Sequence, residues 1–181
     1  MKRALRRFGE DLYERYGPAV AELVGVPITP KIQVDVEPRG PGAAWTSGDR
    51  VVLSAAWFAQ HPDDVGGCLH EFAHAIMRAP VYDDETAWLI EGIADYVRDV
   101  LGFDASWTRA HHEPGEALAG YQTTAHFLMF CEARHPGTVR RLSQLLIRGE
   151  YSDASFEGLC GEPLASLVTE YEAAQDRAAE P

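Results

Sequence analysis

The stretch Val65-Gly66-Gly67-Cys68-Leu69-His70-Glu71-Phe72-Ala73-His74-Ala75-Ile76-Met77 decides how this chain is read. It is apolar, compatible with a helix, and contains the pattern H-E-x-x-H. Residues four apart on a helix project from nearly the same face. His70 and His74 can therefore present two imidazoles to one cation, with Glu71 one step round, beside the ion's open position. Two neutral imidazoles and a carboxylate suit zinc, and a glutamate next to the first histidine is the usual base for a water at such an ion. Two surface histidines without a ligand role would show the same spacing, so the motif needs a companion.

The companion is Trp88-Leu89-Ile90-Glu91-Gly92-Ile93-Ala94-Asp95-Tyr96, a second helix-compatible run. Glu91 and Asp95 are four apart and share a face. Catalytic zinc needs three protein ligands and an open fourth position, and Glu91 completes a His, His, Glu set. Asp95 can accept the other ring N–H of a ligand histidine and fix its tautomer. Solvated carboxylates are the usual alternative. Here both sit among Trp88, Leu89, Ile90, Ile93, Ala94 and Tyr96, so the helix is expected to be mostly buried, and buried carboxylates need partners.

The chain has 181 residues, which fits one domain, and 46% of them are hydrophobic, enough for a sizeable core. The net charge of −12 argues against a nucleic-acid surface. No run has the length of a membrane span. The basic start, Met1 to Arg7, is followed by a helical stripe of Leu5, Phe8, Leu12 and Tyr16 rather than an apolar signal core. A cytoplasmic protein and a mature form that has lost its signal both remain open. Cys68, Cys131 and Cys160 have no C-x-x-C spacing and read as buried thiols, with a Cys131–Cys160 disulfide as the alternative.

Residues 4–16 read as a helix interrupted by Gly17-Pro18. Ile32–Val36, Ala43–Thr46 and Arg50–Ser54 read as strands, the last two around the hairpin signal Ser47-Gly48-Asp49. Asp63 or Asp64 can cap the first motif helix, and Asp83-Asp84 the second, which Gly102 ends. A polar loop spans Phe103–Gly115. Helices follow over Glu116–Arg134 and Thr138–Arg148, from Ser152 or Asp153, and from Pro163 with fraying near Gln175. Early strands and later helices make an α+β fold.

Five stretches together resemble the basic secretory protein family of plant and bacterial zinc metallopeptidases. They are Gly48–Ala55, His70–His74, Leu89–Tyr96, Gly120–Leu128 and, more weakly, Gly149–Asp153 with Phe156. The likeness spans roughly residues 30–175, with 1–29 as a helical extension and 176–181 as a frayed tail. The resemblance implies a thermolysin-like zincin core, with Glu91 as third ligand and Asp95 one turn later. It also implies a small sheet in which Arg50–Ser54 is an edge strand that pairs with extended substrate, an interior strand without substrate contact being the other reading. Gln122 and His126 stand where the family often has Asp and Arg.

The expected activity is a zinc-dependent endopeptidase acting on peptides or proteins. Zinc sits on His70, His74 and Glu91, and Glu71 moves the proton from water to the leaving amine. Tyr121 is the candidate hydrogen-bond donor to the oxyanion, worth about 3 kcal/mol in such a role, with Tyr82, Tyr96 and His126 as alternatives. A core tyrosine is the other reading of Tyr121. The rival function is a non-catalytic zinc-binding domain, though structural sites usually fill all four positions with Cys or His. His111-His112 reads as a solvated pair, and His61 and His135 as loop residues. Trp45, Trp57, Trp88 and Trp107 read as core, Trp107 also as a possible cleft wall.

Overall fold

The computed structural model describes residues 2–103 and 115–179. Most of the expected polar loop, with Trp107 and His111-His112, lies outside the described residues. The rest is an α+β arrangement in which a three-stranded sheet precedes most of the helices.

Helix α1 (Lys2–Leu23) runs through Pro18 without a break. The interruption expected at Gly17-Pro18 does not occur. A proline crowds the Cβ of the residue before it, and Gly17 has none, so that part of the clash is absent here. Gly9 serves close packing in the same helix: a Cβ there would stand 2.8 Å from Val34 and 2.9 Å from Leu53. Tyr13 packs edge-on against Phe72, with ring centroids 5.0 Å apart, so α1 is keyed to the motif helix as well as to the sheet.

Strands β1 (Gln33–Glu37), β2 (Ala44–Ser47) and β3 (Arg50–Ser54) form a sheet in the order β1-β3-β2. β2 and β3 make the expected antiparallel hairpin, with Ser47 opposite Arg50 and Gly48 at φ 61°, the left-handed position that a two-residue turn favours. β1 pairs with β3 in parallel. Arg50–Ser54 is therefore the central strand, not the edge strand that the family resemblance implied. Its run Val51-Val52-Leu53 is buried on both faces, the pattern of an interior strand, and the edge beside the motif helix falls to β2.

Helix α2 (Ala55–Phe58) is a single turn capped by Ser54, and α3 (Val65–Met77) is the motif helix. Asp64 caps α3 by accepting from Gly67 N at 2.9 Å, and Arg78 ends it in the left-handed conformation. α3 is buried almost all round, which its apolar sequence requires. One side meets the sheet and α1, and the other meets α4 (Ala87–Val100). Asp83 acts one turn before α4: its Oδ1 accepts from Thr86 N at 3.1 Å and Thr86 Oγ1 at 3.0 Å. At the far end, Gly102 N bonds Asp99 O and Phe103 N bonds Arg98 O, the paired closure that Gly102 at φ 81° permits.

Helix α5 (Tyr121–Arg134) starts five residues later than Glu116. Thr124 Oγ1 donates to Ala117 O and accepts from Gly120 N, both at 2.9 Å, so residues 117–120 are held as a turn. α6 (Thr138–Arg148), α7 (Ser155–Cys160) and α8 (Leu164–Ala179) complete the fold, and α8 continues past Gln175. Leu69, Phe72, Leu89, Ile93, Phe127 and Phe156 belong to one buried cluster joining these helices. The three cysteines are free and buried. Among the described residues no helix is long and apolar enough to cross a membrane.

Candidate metal centre

α3 and α4 pack directly against each other and bring their four-residue spacings face to face. His70 and His74 look across at Glu91 and Asp95. His70 Nε2 lies 3.1 Å from Glu91 Oε2 and 2.9 Å from His74 Nε2, and His74 Nε2 lies 3.5 Å from the same carboxylate oxygen. One ligand atom from each of His70, His74 and Glu91 falls within 4.8 Å of the others. The other face of His70 is committed elsewhere: Nδ1 meets Asp95 Oδ1 at 2.7 Å. Asp95, 1% exposed, also lies 3.4 Å from Arg98 Nη1.

The chemistry of this donor set fits a cation. With Nδ1–H given to Asp95, the neutral His70 ring has a lone pair at Nε2, aimed at a carboxylate lone pair and at a second imidazole. Hydrogen bonding among the three leaves lone pairs facing one another, and a positive ion between them satisfies all three. Burial pulls the His70 pKa down, but its bonds to Asp95 and Glu91 outweigh burial and hold it at about 10. Burial raises Glu91, yet its contacts with His70 and His74 win and keep it well below the usual carboxylate range. The field that attracts a proton to His70 also attracts a metal ion, and metal binding releases that proton.

Gly92 brings α5 to this centre. A Cβ at Gly92 would stand 2.1 Å from the Cγ2 of Thr124, a fully buried residue, so the E-G step lets α4 and α5 touch. The head of α5 then rides over Glu91, where Gly120 adopts φ 90° and Tyr121 φ 48°. A tyrosine in the left-handed region is strained, and such strain persists where surrounding structure imposes it. The Tyr121 ring stacks on His70 at 5.9 Å and 9°. It is 51% exposed, so the core reading of Tyr121 does not hold. Burial and the nearby Glu91 carboxylate raise its hydroxyl pKa, keeping it a donor.

The centre lies on a cleft in two halves that share His70, Glu71 and Tyr121 in their walls. The half beyond His70, about 820 Å³, is walled by Pro41–Ala44, Trp57, Asp64 and Arg98. The half beyond His74, about 540 Å³, is walled by Trp45, Met77, Tyr82 and Ile90. β2 and its lead-in segment therefore border both halves. Thr46 Oγ1 ties β2 to the motif helix by donating to Glu71 O at 3.1 Å.

Of the alternatives to Tyr121, only Tyr82 reaches the centre: its hydroxyl donates to Glu91 Oε1 at 2.7 Å. Tyr96 is buried, with its pKa raised to about 12 by burial and by Glu132. His126 is half-buried beside Asp99, with its pKa lowered mainly by burial. Trp57 departs from the core reading. It is 37% exposed, donates from Nε1 to Asp64 Oδ2 at 2.8 Å and packs at a tilt against the His61 ring. Arg98 and the Tyr82 bond were not anticipated. Arg98 follows Asp95 by three residues on one helix face, a signal present in the sequence.

Fold and site thus define an α+β protein with a buried His-His-Glu group able to hold a metal ion. Residues 4–171 match the family described as peptidase of plants and bacteria, and the chain belongs to that family. The match begins inside α1, earlier than the likeness read from the motifs. No curated protein and no solved structure matches the chain.

Proposed function

We infer that the protein is a zinc-dependent peptidase whose substrate is a peptide or protein chain laid along the cleft. The observation that carries this reading is the convergence of His70 Nε2, His74 Nε2 and Glu91 Oε2, with Asp95 on the opposite nitrogen of His70. Zinc prefers this kind of set, and when bound there it supplies a Lewis acid and lowers the pKa of a coordinated water to about 7. Glu71, on the wall of both cleft halves, takes a proton from the attacking water. The water oxygen joins the carbonyl carbon, the C–N bond breaks, and Glu71 delivers the proton to the departing amine. The products are a carboxylic acid and an amine, and the remaining water proton passes from the acid to the amine to give a carboxylate and an ammonium group.

Tyr121 donates to the developing oxyanion from its exposed position over His70. Tyr82 holds Oε1 of Glu91, leaving Oε2 for the metal. The outer edge of β2, which pairs with no further strand among the described residues, receives the substrate backbone as an added strand. The family's description as peptidases supports the reaction class. A non-catalytic metal domain is less well supported, because among the described residues the set has three ligands with an open cleft beside them rather than four closed ones.

The test is metal analysis combined with a peptide digest. Purified protein should carry about one zinc per chain, lose cleavage to a chelator and regain it with zinc, and Glu91→Ala should lose zinc retention. Zinc retained equally by Glu91→Ala, or cleavage indifferent to chelation, would contradict the assignment.

A further inference from the structure

β2 is keyed to the motif helix at two points. At its lead-in, a Cβ on Gly67 of α3 would stand 3.0 Å from the Cβ of Ala43, so helix and lead-in pass close together. Further along, the Thr46 hydroxyl donates to Glu71 O at 3.1 Å. The helical partner of that carbonyl is the N–H of Ala75, and its oxygen has a second lone pair for the hydroxyl. Thr46 lies opposite the fully buried Val51, on a strand where valine has the same shape and an equal preference for β structure. What threonine adds over valine is the bond to the backbone of Glu71.

The ladder decides which way Thr46 turns its own backbone. Ser54 N donates to Ala43 O at 2.9 Å, which makes Ala43 and Ser54 a hydrogen-bonded pair of the hairpin. Such pairs alternate along an antiparallel ladder, so the next ones are Trp45 with Val52 and Ser47 with Arg50. Ala44 and Thr46 therefore point their N–H and C=O groups away from β3, to the outer edge. The two residues wall different halves of the cleft, Ala44 the half beyond His70 and Thr46 the half beyond His74. A strand that pairs with both crosses between the halves beside Glu71, which walls each of them.

We propose that Thr46 is a positioning residue for the reaction: its backbone pairs with the extended substrate while its hydroxyl fixes that strand at a set height over Glu71. One residue then holds both the chain to be cut and the backbone of the group that moves the proton. The assignment rests on the peptidase reading, but the hold on a bound strand is a property of binding and is read without cleavage. Alignment of reacting groups shows in kcat, because small displacements of a reacting group are costly.

The test compares Thr46→Val, which keeps the shape and loses the hydroxyl, with Thr46→Ser, which keeps the hydroxyl. The probe is the oxidised insulin B chain, an extended polypeptide. Binding is measured on zinc-loaded Glu71→Gln, whose backbone carbonyl is unchanged, alone and combined with each Thr46 variant. Thr46→Val should weaken binding by about fivefold, the equivalent of one hydrogen bond, and Thr46→Ser should recover most of that loss. In the chain that retains Glu71, Thr46→Val should also lower kcat by about tenfold, again recovered by Thr46→Ser, with zinc content and melting temperature as in wild type. Weaker binding by Thr46→Val, recovered by Thr46→Ser, with no cleavage by wild type supports the hold of Thr46 on a bound strand and overturns the peptidase reading. No loss in either readout, equal losses in both variants, or a loss confined to KM overturns the positioning role. So does a Thr46→Val chain that drops its zinc or melts far below wild type, since the hydroxyl would then serve the fold.

Discussion

Asp95 Oδ1 stands 2.7 Å from His70 Nδ1, so the acidic residue that ends the E-G-x-A-D stretch fixes which nitrogen of His70 faces the centre. Asp95→Asn keeps the shape but weakens the acceptor that holds the ring and supports its basicity. Zinc affinity should fall roughly 10- to 100-fold, the usual cost of losing such a partner. A competitive chelator titration reads this directly, and an unchanged affinity would remove Asp95 from the support of His70.

Tyr82 pins Glu91 through a 2.7 Å bond to Oε1 while standing mostly in solvent. Tyr82→Phe should therefore leave the fold intact and weaken zinc binding by about fivefold, corresponding to ~1 kcal/mol for one hydrogen bond. The same chelator titration measures it, alongside a thermal melt. A large drop in melting temperature would mean that the hydroxyl supports the fold itself and not only the position of Glu91.

Gly92 is where α4 and α5 touch. Gly92→Ala places a Cβ against buried Thr124 and should destabilise the protein by ~1–3 kcal/mol through overpacking. Chemical denaturation gives the number. Thr124→Ser in the same chain removes the Cγ2 methyl and should recover part of the loss, whereas no recovery would place the strain elsewhere.

Asp35 meets Arg50 Nε at 2.7 Å and Arg6 at 2.6 Å. The Arg50 hydrogen bond comes first among the causes that hold its pKa below the ordinary carboxylate value. A carboxylate with a lowered folded pKa stabilises above its unfolded pKa, near 3.9, and loses that contribution as pH falls through the folded value. At pH 7, Asp35→Asn should lower stability by up to about 1 kcal/mol, since the pair is partly exposed. The gap to wild type should close on acidification below the carboxylate range. A gap independent of pH would assign the effect to packing.

The core of the centre was legible because helix periodicity does the geometric work. His70 with His74, and Glu91 with Asp95, each share a face by spacing alone, and an apolar background around two acids signals buried partners. Strand order was harder. Val51-Val52-Leu53 has the continuous apolar pattern of an interior strand, yet the family resemblance drew the edge to it, and only the parallel pairing with β1 shows β2 outside. Tyr82 and Trp57 stand on or beside irregular segments, where periodicity says nothing about direction. Pro18 inside α1 shows a local rule yielding to its context, in which Gly17 removes one part of the clash.

The most direct test of the central claim is a comparison of wild type with Glu71→Gln at equal zinc loading. Glutamine matches glutamate in size and Glu71 is not one of the converging ligands, so fold and zinc content should be unchanged. What is lost is the group that takes the proton from water and gives it to the amine. Mass spectrometry of a broad peptide digest should find cleavage products with wild type and none with Glu71→Gln. Equal cleavage by both proteins would contradict the mechanism, and cleavage by neither would leave a metal-binding domain without hydrolysis.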